Sequence, residues 1–155
     1  MPKPNVIIIY ADDLGYGDVS SYGLGTLQTP NIDKIANDGI RFTNGYASSA
    51  TCSPSRYALM TGTYPWRNKN AKILTGANLI IDTTEMTLPK MFKSMGYQTG
   101  IVGKWHLGLG DGPVNHNEFI SPGPNEVGFD HSFIMADTQD RVCLLYTSPS
   151  PRDSS

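Results

Sequence analysis

Cysteine is scarce: only Cys52 and Cys143 occur in 155 residues. Two cysteines do not make the bridge framework on which small secreted scaffolds depend. Charge of one sign is also missing. Twelve Lys and Arg stand against fourteen Asp and Glu, with no basic cluster, so nucleic acid is not an expected partner. Long apolar runs are absent. The longest, Val6 to Ala11, is strand-sized, against the roughly twenty residues a membrane span needs. No basic segment followed by an apolar stretch opens the chain, so no signal peptide is visible, and there is no internal repeat. What is present is enough length for one domain with a real core. Hydrophobic residues at 39% and charged residues at 17% give the balance of a globular chain.

The local pattern alternates strands with helices. "PNVIIIYADDLG" reads as a buried parallel strand, entered through Pro4 and ended by Asp12, Asp13 and Gly15. "TPNIDKIANDG" reads as a helix with Thr29 as N-cap, Pro30 in the first turn and Gly39 as the stop. "IRFTNGYA" is a short strand or extended segment. "SPSRYALMTG" is a helix that tolerates Pro54 near its start and is closed by Gly62. "TLPKMFKSMGY" is a further helix, with Leu88, Met91, Phe92 and Met95 on one face. "QTGIVGKWH" gives a short strand running into a loop. Residues 108–128, rich in Gly, Pro and Asn, read as a long surface loop, and "GFDHSFIMA" as one more strand. This order argues for an α/β fold with a mainly parallel sheet.

The last thirteen residues, "CLLYTSPSPRDSS", carry no clear period and end in a Ser/Pro-rich tail. The string resembles translated read-through of a sequencing adapter. Residues 143–155 are therefore expected to be a non-native tail, with the natural sequence interrupted near Val142.

Three groups of residues can carry chemistry. Asp12 and Asp13 stand at the carboxyl end of the first expected strand, where open parallel sheets bind ligands. Two adjacent carboxylates there suit a hard divalent cation, although Asp is also a common turn residue. Cys52 precedes the "SPSR" run at a helix start. A helix N-terminus and Arg56 both favour an anion there, whereas a merely packed cysteine needs neither. Arg56 follows Cys52 after three residues, not five, which excludes a tyrosine-phosphatase loop, and Ser55 excludes a thioredoxin-type pair. A thiolate nucleophile stays open. Lys104 and His106 alternate at the end of a short strand and so are expected on one face. A lysine there can hold an anionic oxygen and a histidine can relay a proton; a solvated Lys and a backbone-satisfied His is the plainer alternative. Together these are the ingredients of a metal-assisted attack on an anionic ester.

At this point the chain resembles the N-terminal part of a type I sulfatase. "CSPSR" matches the C-x-P-x-R signature of that family, and "GYQTGIVGKWH" matches its second signature. "PNVIIIYADDLGYGD", "TPNIDKIANDGIRFTNGYA" and "TGTYPWR" stand in the family's order, so the resemblance covers about residues 4–142. It implies an alkaline-phosphatase-like α/β/α sandwich, incomplete in this chain, with residues 1–142 forming the N-terminal part of the catalytic domain. It further implies that Cys52 is oxidised to Cα-formylglycine by a maturase that reads C-x-P-x-R. One oxygen of the hydrated aldehyde, held on calcium, would attack the sulfur of an aryl or sugar sulfate. Loss of a proton from the other hydroxyl would then release inorganic sulfate. Asp12, Asp13 and modified Cys52 would be calcium ligands. Arg56 would steady the hydrate, Lys104 would bridge it to the sulfate, and His106 would bond the hydroxyl that drives release.

The family completes its calcium site with a later Asp-Asn pair and uses a further histidine and lysine near the leaving group. No counterpart lies in residues 107–142, so the chain by itself is expected to be inactive. The resemblance favours a periplasmic or secreted protein. Two alternatives stay open: a phosphonate or phosphodiester hydrolase of the same superfamily, and a catalytically silent metal- or glycan-binding domain.

Overall fold

The computed structural model describes residues 2–23, 27–72 and 76–137, together with the backbone of 145–147. The chain divides into two units, Met1–Tyr46 and Ala47–Ser155.

The first unit is organised around one helix, α1 (Pro30–Asp38). Thr29 is its N-cap and Gly39 its C-cap, as the Thr-Pro start and Gly stop predict. The Thr29 hydroxyl does not cap the backbone, however. It donates to the Asp33 carboxylate at 3.0 Å, while Ser20 donates to the other oxygen of Asp33 at 2.6 Å. The Ser20 bond, ahead of the Thr29 bond, holds the Asp33 carboxyl below its ordinary value of 3.8. This network ties α1 to the single-turn 3-10 helix Ser20–Tyr22, which ends on Gly23 at φ 81.

Two expected strands do not form here. Val6–Ala11 and residues 40–47 belong to no β ladder among the described residues. Instead of being buried, Ile7 is 84% and Ile9 82% exposed. A run of β-branched residues favours a strand only when a neighbour supplies the ladder and covers its faces, and neither is supplied here.

The second unit holds the core. Tyr57, Ala71, Ile81, Trp105, Leu107, Leu109, Ile120, Val127, Phe129, Ile134 and Ala136 pack together. Each of the large side chains among them contributes about 1.5–3 kcal/mol of burial. Helix α2 (Cys52–Thr61) ends on Gly62, whose left-handed backbone (φ 66) lets its N–H reach the Ala58 carbonyl at 2.8 Å. Helix α3 (Leu88–Ser94) starts at Thr87, whose hydroxyl accepts from the Lys90 N–H and donates to the Val127 carbonyl. Its expected apolar face is only partly used, since Met91 and Met95 are exposed.

Strands β1 (Gly100–Lys104) and β2 (His131–Met135) pair in parallel, with Gly100 opposite His131 and Lys104 opposite Met135. Between them residues 108–128 are no simple surface loop. Leu109, Ile120 and Val127 enter the core, and the one-turn helix α4 (Pro124–Val127) forms within the stretch. The apolar residues spaced among its glycines and prolines explain the difference. Strand β3 (Leu145–Thr147), within the expected non-native tail, pairs antiparallel with β2. The rest of that tail, Cys143 included, lies outside the described residues. Among the described residues no helix is long and apolar enough to cross a membrane.

Candidate active site

Cys52 is the first residue of α2, half-buried, with Thr51 as N-cap. One turn on, Arg56 points back under the helix start and is buried. Its guanidinium donates to the backbone carbonyl of Lys104 at 2.6 Å, which fixes the first turn of α2 against the last residue of β1. The Lys104 ammonium in turn lies 3.3 Å from the Cys52 sulfur. Three residues that are 48 and 52 positions apart in sequence thus meet, and two of them are cations. With the partial positive charge of the helix N-terminus, the substituent on the Cys52 Cβ sits in a field that favours an anion.

His106 reaches its place by a route the sequence pattern does not give. Strand alternation ends at Lys104, and His106 takes a left-handed backbone at φ 53, so it is not simply on the Lys104 face of a strand. Such a conformation is uncommon outside glycine, with histidine among the more tolerant residues. The turn is held from both sides. Trp105 and His106 donate their backbone N–H groups to Met135 and Ala136, at 2.9 and 3.2 Å. Ile80 and Leu109 bond to Leu107 and Ala77 at 3.0 Å each. The Trp105 indole closes the turn on the Gly108 carbonyl at 2.7 Å. Trp105 and Leu107 are each 1% exposed, so His106 sits between two anchored core residues.

Asp12 and Asp13 belong to the first unit, where both side chains are exposed. Asp13 has a left-handed backbone at φ 57, which a short polar side chain tolerates. Two successive carboxylates form an all-oxygen donor set of the kind a hard divalent cation takes.

One residue escaped the sequence reading. Asp137 lies two residues past the end of β2, as His106 lies two past the end of β1. Its carboxylate oxygen Oδ1 is 3.1 Å from His106 Nε2. The signal lay in the pairing of the strands: because β1 runs parallel to β2, the segments that follow them leave the sheet at the same end.

Residues 4–144 match the family model for sulfatases. The chain belongs to the sulfatase family. A Bacteroides thetaiotaomicron protein named N-acetylgalactosamine-6-O-sulfatase is 53% identical over 146 residues, which cover 93% of this chain and 29% of that sulfatase. Human steryl-sulfatase is 43% identical over 114 residues, covering 69% of this chain and 20% of its own. Among solved structures, one described under the metabolism of multiple glycosaminoglycans by Bacteroides thetaiotaomicron superposes with a TM-score of 0.91 at 50% identity. It covers 96% of this chain and 32% of its own. The fold is therefore the alkaline-phosphatase-like α/β fold of sulfatases, of which this chain spans about a third or less of each relative's length.

Proposed function

We propose that this sulfatase-family chain supplies the nucleophile and its anion-holding residues to a sulfuric ester hydrolase acting on a sulfated sugar. The observation that carries this reading is the Lys104 ammonium 3.3 Å from the Cys52 sulfur at the start of α2. The likeness to a sulfatase named for a 6-O-sulfated N-acetylgalactosamine supports the sugar class.

Cys52 is the precursor of a Cα-formylglycine made by a maturase, and its sulfur marks where the oxygens of the hydrated aldehyde stand. One of those oxygens attacks the ester sulfur as the bond to the alcohol breaks. Lys104 holds the negative charge that collects on the sulfate oxygens, the kind of contact that is usually the largest catalytic contribution. Arg56 keeps Lys104 and the helix start in register through the Lys104 carbonyl. His106 takes the proton of the second hydroxyl, so that the aldehyde reforms and sulfate leaves. Asp12 and Asp13 would supply two carboxylate ligands to a calcium ion, which when bound would contribute Lewis-acid charge to the reaction. The same reading has the protein act in the periplasm or outside the cell.

The test has two arms, both run on the matured enzyme that contains this chain. Peptide mass spectrometry should find formylglycine at Cys52. Assay of a sugar 6-O-sulfate beside the matching phosphate ester should show sulfate release, abolished in Cys52→Ala and lowered about a hundredfold or more in Lys104→Ala. Near-normal sulfate release by Lys104→Ala, or preference for the phosphate ester, would sink the reading.

A further inference from the structure

Charge is unevenly placed along the chain. Between Asp38 and Asp82 the sequence holds no acidic residue but five basic ones, Arg41, Arg56, Arg67, Lys69 and Lys72. The last three fall in one short segment past the end of α2, and all three are exposed. Among the described residues none of the three forms an ion pair. The segment is nonetheless held in place. A single-turn 3-10 helix, Pro65–Arg67, starts it, and Pro65 and Ala71 are buried. The Ala71 N–H donates to the Asn68 carbonyl at 3.0 Å. The Asn68 side chain donates to the Ile80 carbonyl at 3.3 Å and accepts the Asn70 N–H at 2.9 Å. The same segment carries two aromatic rings. Tyr64 and Trp66 are 54% and 70% exposed and stack on each other, with centroids 4.1 Å apart and planes 15° from parallel. Two carboxylates, Asp82 and Glu85, line a cavity together with Asn68 and Asn70. That turn carries its own cation, since the Lys90 ammonium donates to the Glu85 carbonyl at 3.1 Å.

We propose that segment 64–72 is a binding surface for a sulfated glycan chain, separate from the Cys52 site. A sugar ring has an apolar C–H face and a polar rim. An exposed aromatic ring covers the face, and a second ring stacked behind it holds the platform flat. Sulfate groups on the rim match the cations, the Arg67 guanidinium in a two-point contact and the two lysines as point charges. A neutral glycan would leave three cations unmatched, and an acidic peptide offers no flat apolar face to the ring pair. One sugar cannot cover two rings and three cations, so the ligand is a chain of several units. The whole chain carries a formal net charge of −2, so a polyanion is drawn to this segment and not to the surface at large. The inference rests on the sulfated-sugar reading above only for its catalytic consequence; the binding itself needs no turnover.

The chain has only two tryptophans, and Trp105 is 1% exposed, so acrylamide quenching of tryptophan fluorescence reads Trp66. Chondroitin 6-sulfate added to the chain at low salt should suppress the quenching and shift the emission to the blue, and added salt should reverse both. Hyaluronan, which carries carboxylates but no sulfate, should protect more weakly, and neutral dextran not at all. By affinity electrophoresis, Trp66→Ala and the triple variant Arg67→Gln, Lys69→Gln, Lys72→Gln should each bind chondroitin 6-sulfate about tenfold more weakly or worse. Unchanged quenching of the wild type overturns the proposal whatever the variants do. Equal protection by hyaluronan overturns the sulfate, and tighter binding of an oligothymidylate, whose bases would stack instead, overturns the glycan. In the matured enzyme, the triple variant should raise KM for the chain about tenfold with kcat unchanged, and leave a sulfated monosaccharide unaffected. Failure of the functional reading looks different: neither substrate would then release sulfate, while the protection of Trp66 stood.

Discussion

Gly108 is the residue on which the His106 turn closes, and two constraints act on it at once. Its backbone is left-handed at φ 78, and a Cβ there would overlap the carbonyl of Asn78. Gly23 has nearly the same backbone, at φ 81, but open space around the position. Alanine at Gly23 should therefore cost only the conformational strain, about 1–2 kcal/mol. Alanine at Gly108 adds a clash with backbone that cannot rotate away, for a total of about 3 kcal/mol or more. Urea denaturation of the two variants checks this; equal losses would mean that the 76–80 segment yields freely. Arg56 gives a second test at this scale. Arg56→Lys removes the fork that reaches the Lys104 carbonyl and leaves that carbonyl short of a charged donor. A loss of about 1.5–3 kcal/mol is expected in the same denaturation experiment.

At the scale of elements, the entrance to the sheet is held by Asp130. Its carboxylate accepts the Thr99 backbone N–H at 2.8 Å just before β1 and pairs with Lys93 at 2.8 Å at the end of α3. The Lys93 bond first, then the Thr99 bond, hold the Asp130 carboxyl below its ordinary value of 3.8. A group whose pKa is depressed by folding adds stability that is fully present above its unfolded value. That stability is lost as pH falls through the folded value. Asp130→Asn should thus be less stable at pH 7 by about 1 kcal/mol, a difference that shrinks as pH drops below about 4. Thermal melts from pH 7 to pH 2 test it, and parallel curves for the two proteins would contradict it. The elements themselves were legible to different degrees. Helices α1 and α2 announce both ends, through Thr29-Pro30 and Gly39, and through Pro54 and Gly62, because capping is local chemistry. Strands β1 and β2 were legible from short apolar runs. Val6–Ala11 misled because a ladder needs a neighbour, which no local pattern encodes. The Cys52–Arg56 signature was legible as a motif, but the contact that gives it meaning, with Lys104, spans 52 residues. Asp137 was invisible for the same reason: its place beside His106 comes from strand pairing.

At the scale of the whole molecule, the dominant feature is apolar surface. Val6, Ile7, Ile8, Ile9 and Tyr10 are all at least 41% exposed, and Val102 and Phe133, opposite each other on β1 and β2, are 82% and 49% exposed. Isolated exposed apolar residues are ordinary, but five in succession, four of them β-branched, are not. A segment of that composition, without charge or proline, is a template for pairing with a second copy. The 155-residue chain is therefore expected to self-associate as its concentration rises and to bind a hydrophobic dye. Ile7→Lys with Ile9→Lys places two charges on the most exposed positions, where no core contact is lost. The double variant should shift the light-scattering mass toward that of the monomer and lower dye binding, while its melting temperature changes little. If association persists undiminished, the contact lies elsewhere, with the Val102–Phe133 face of the sheet as the next surface to charge.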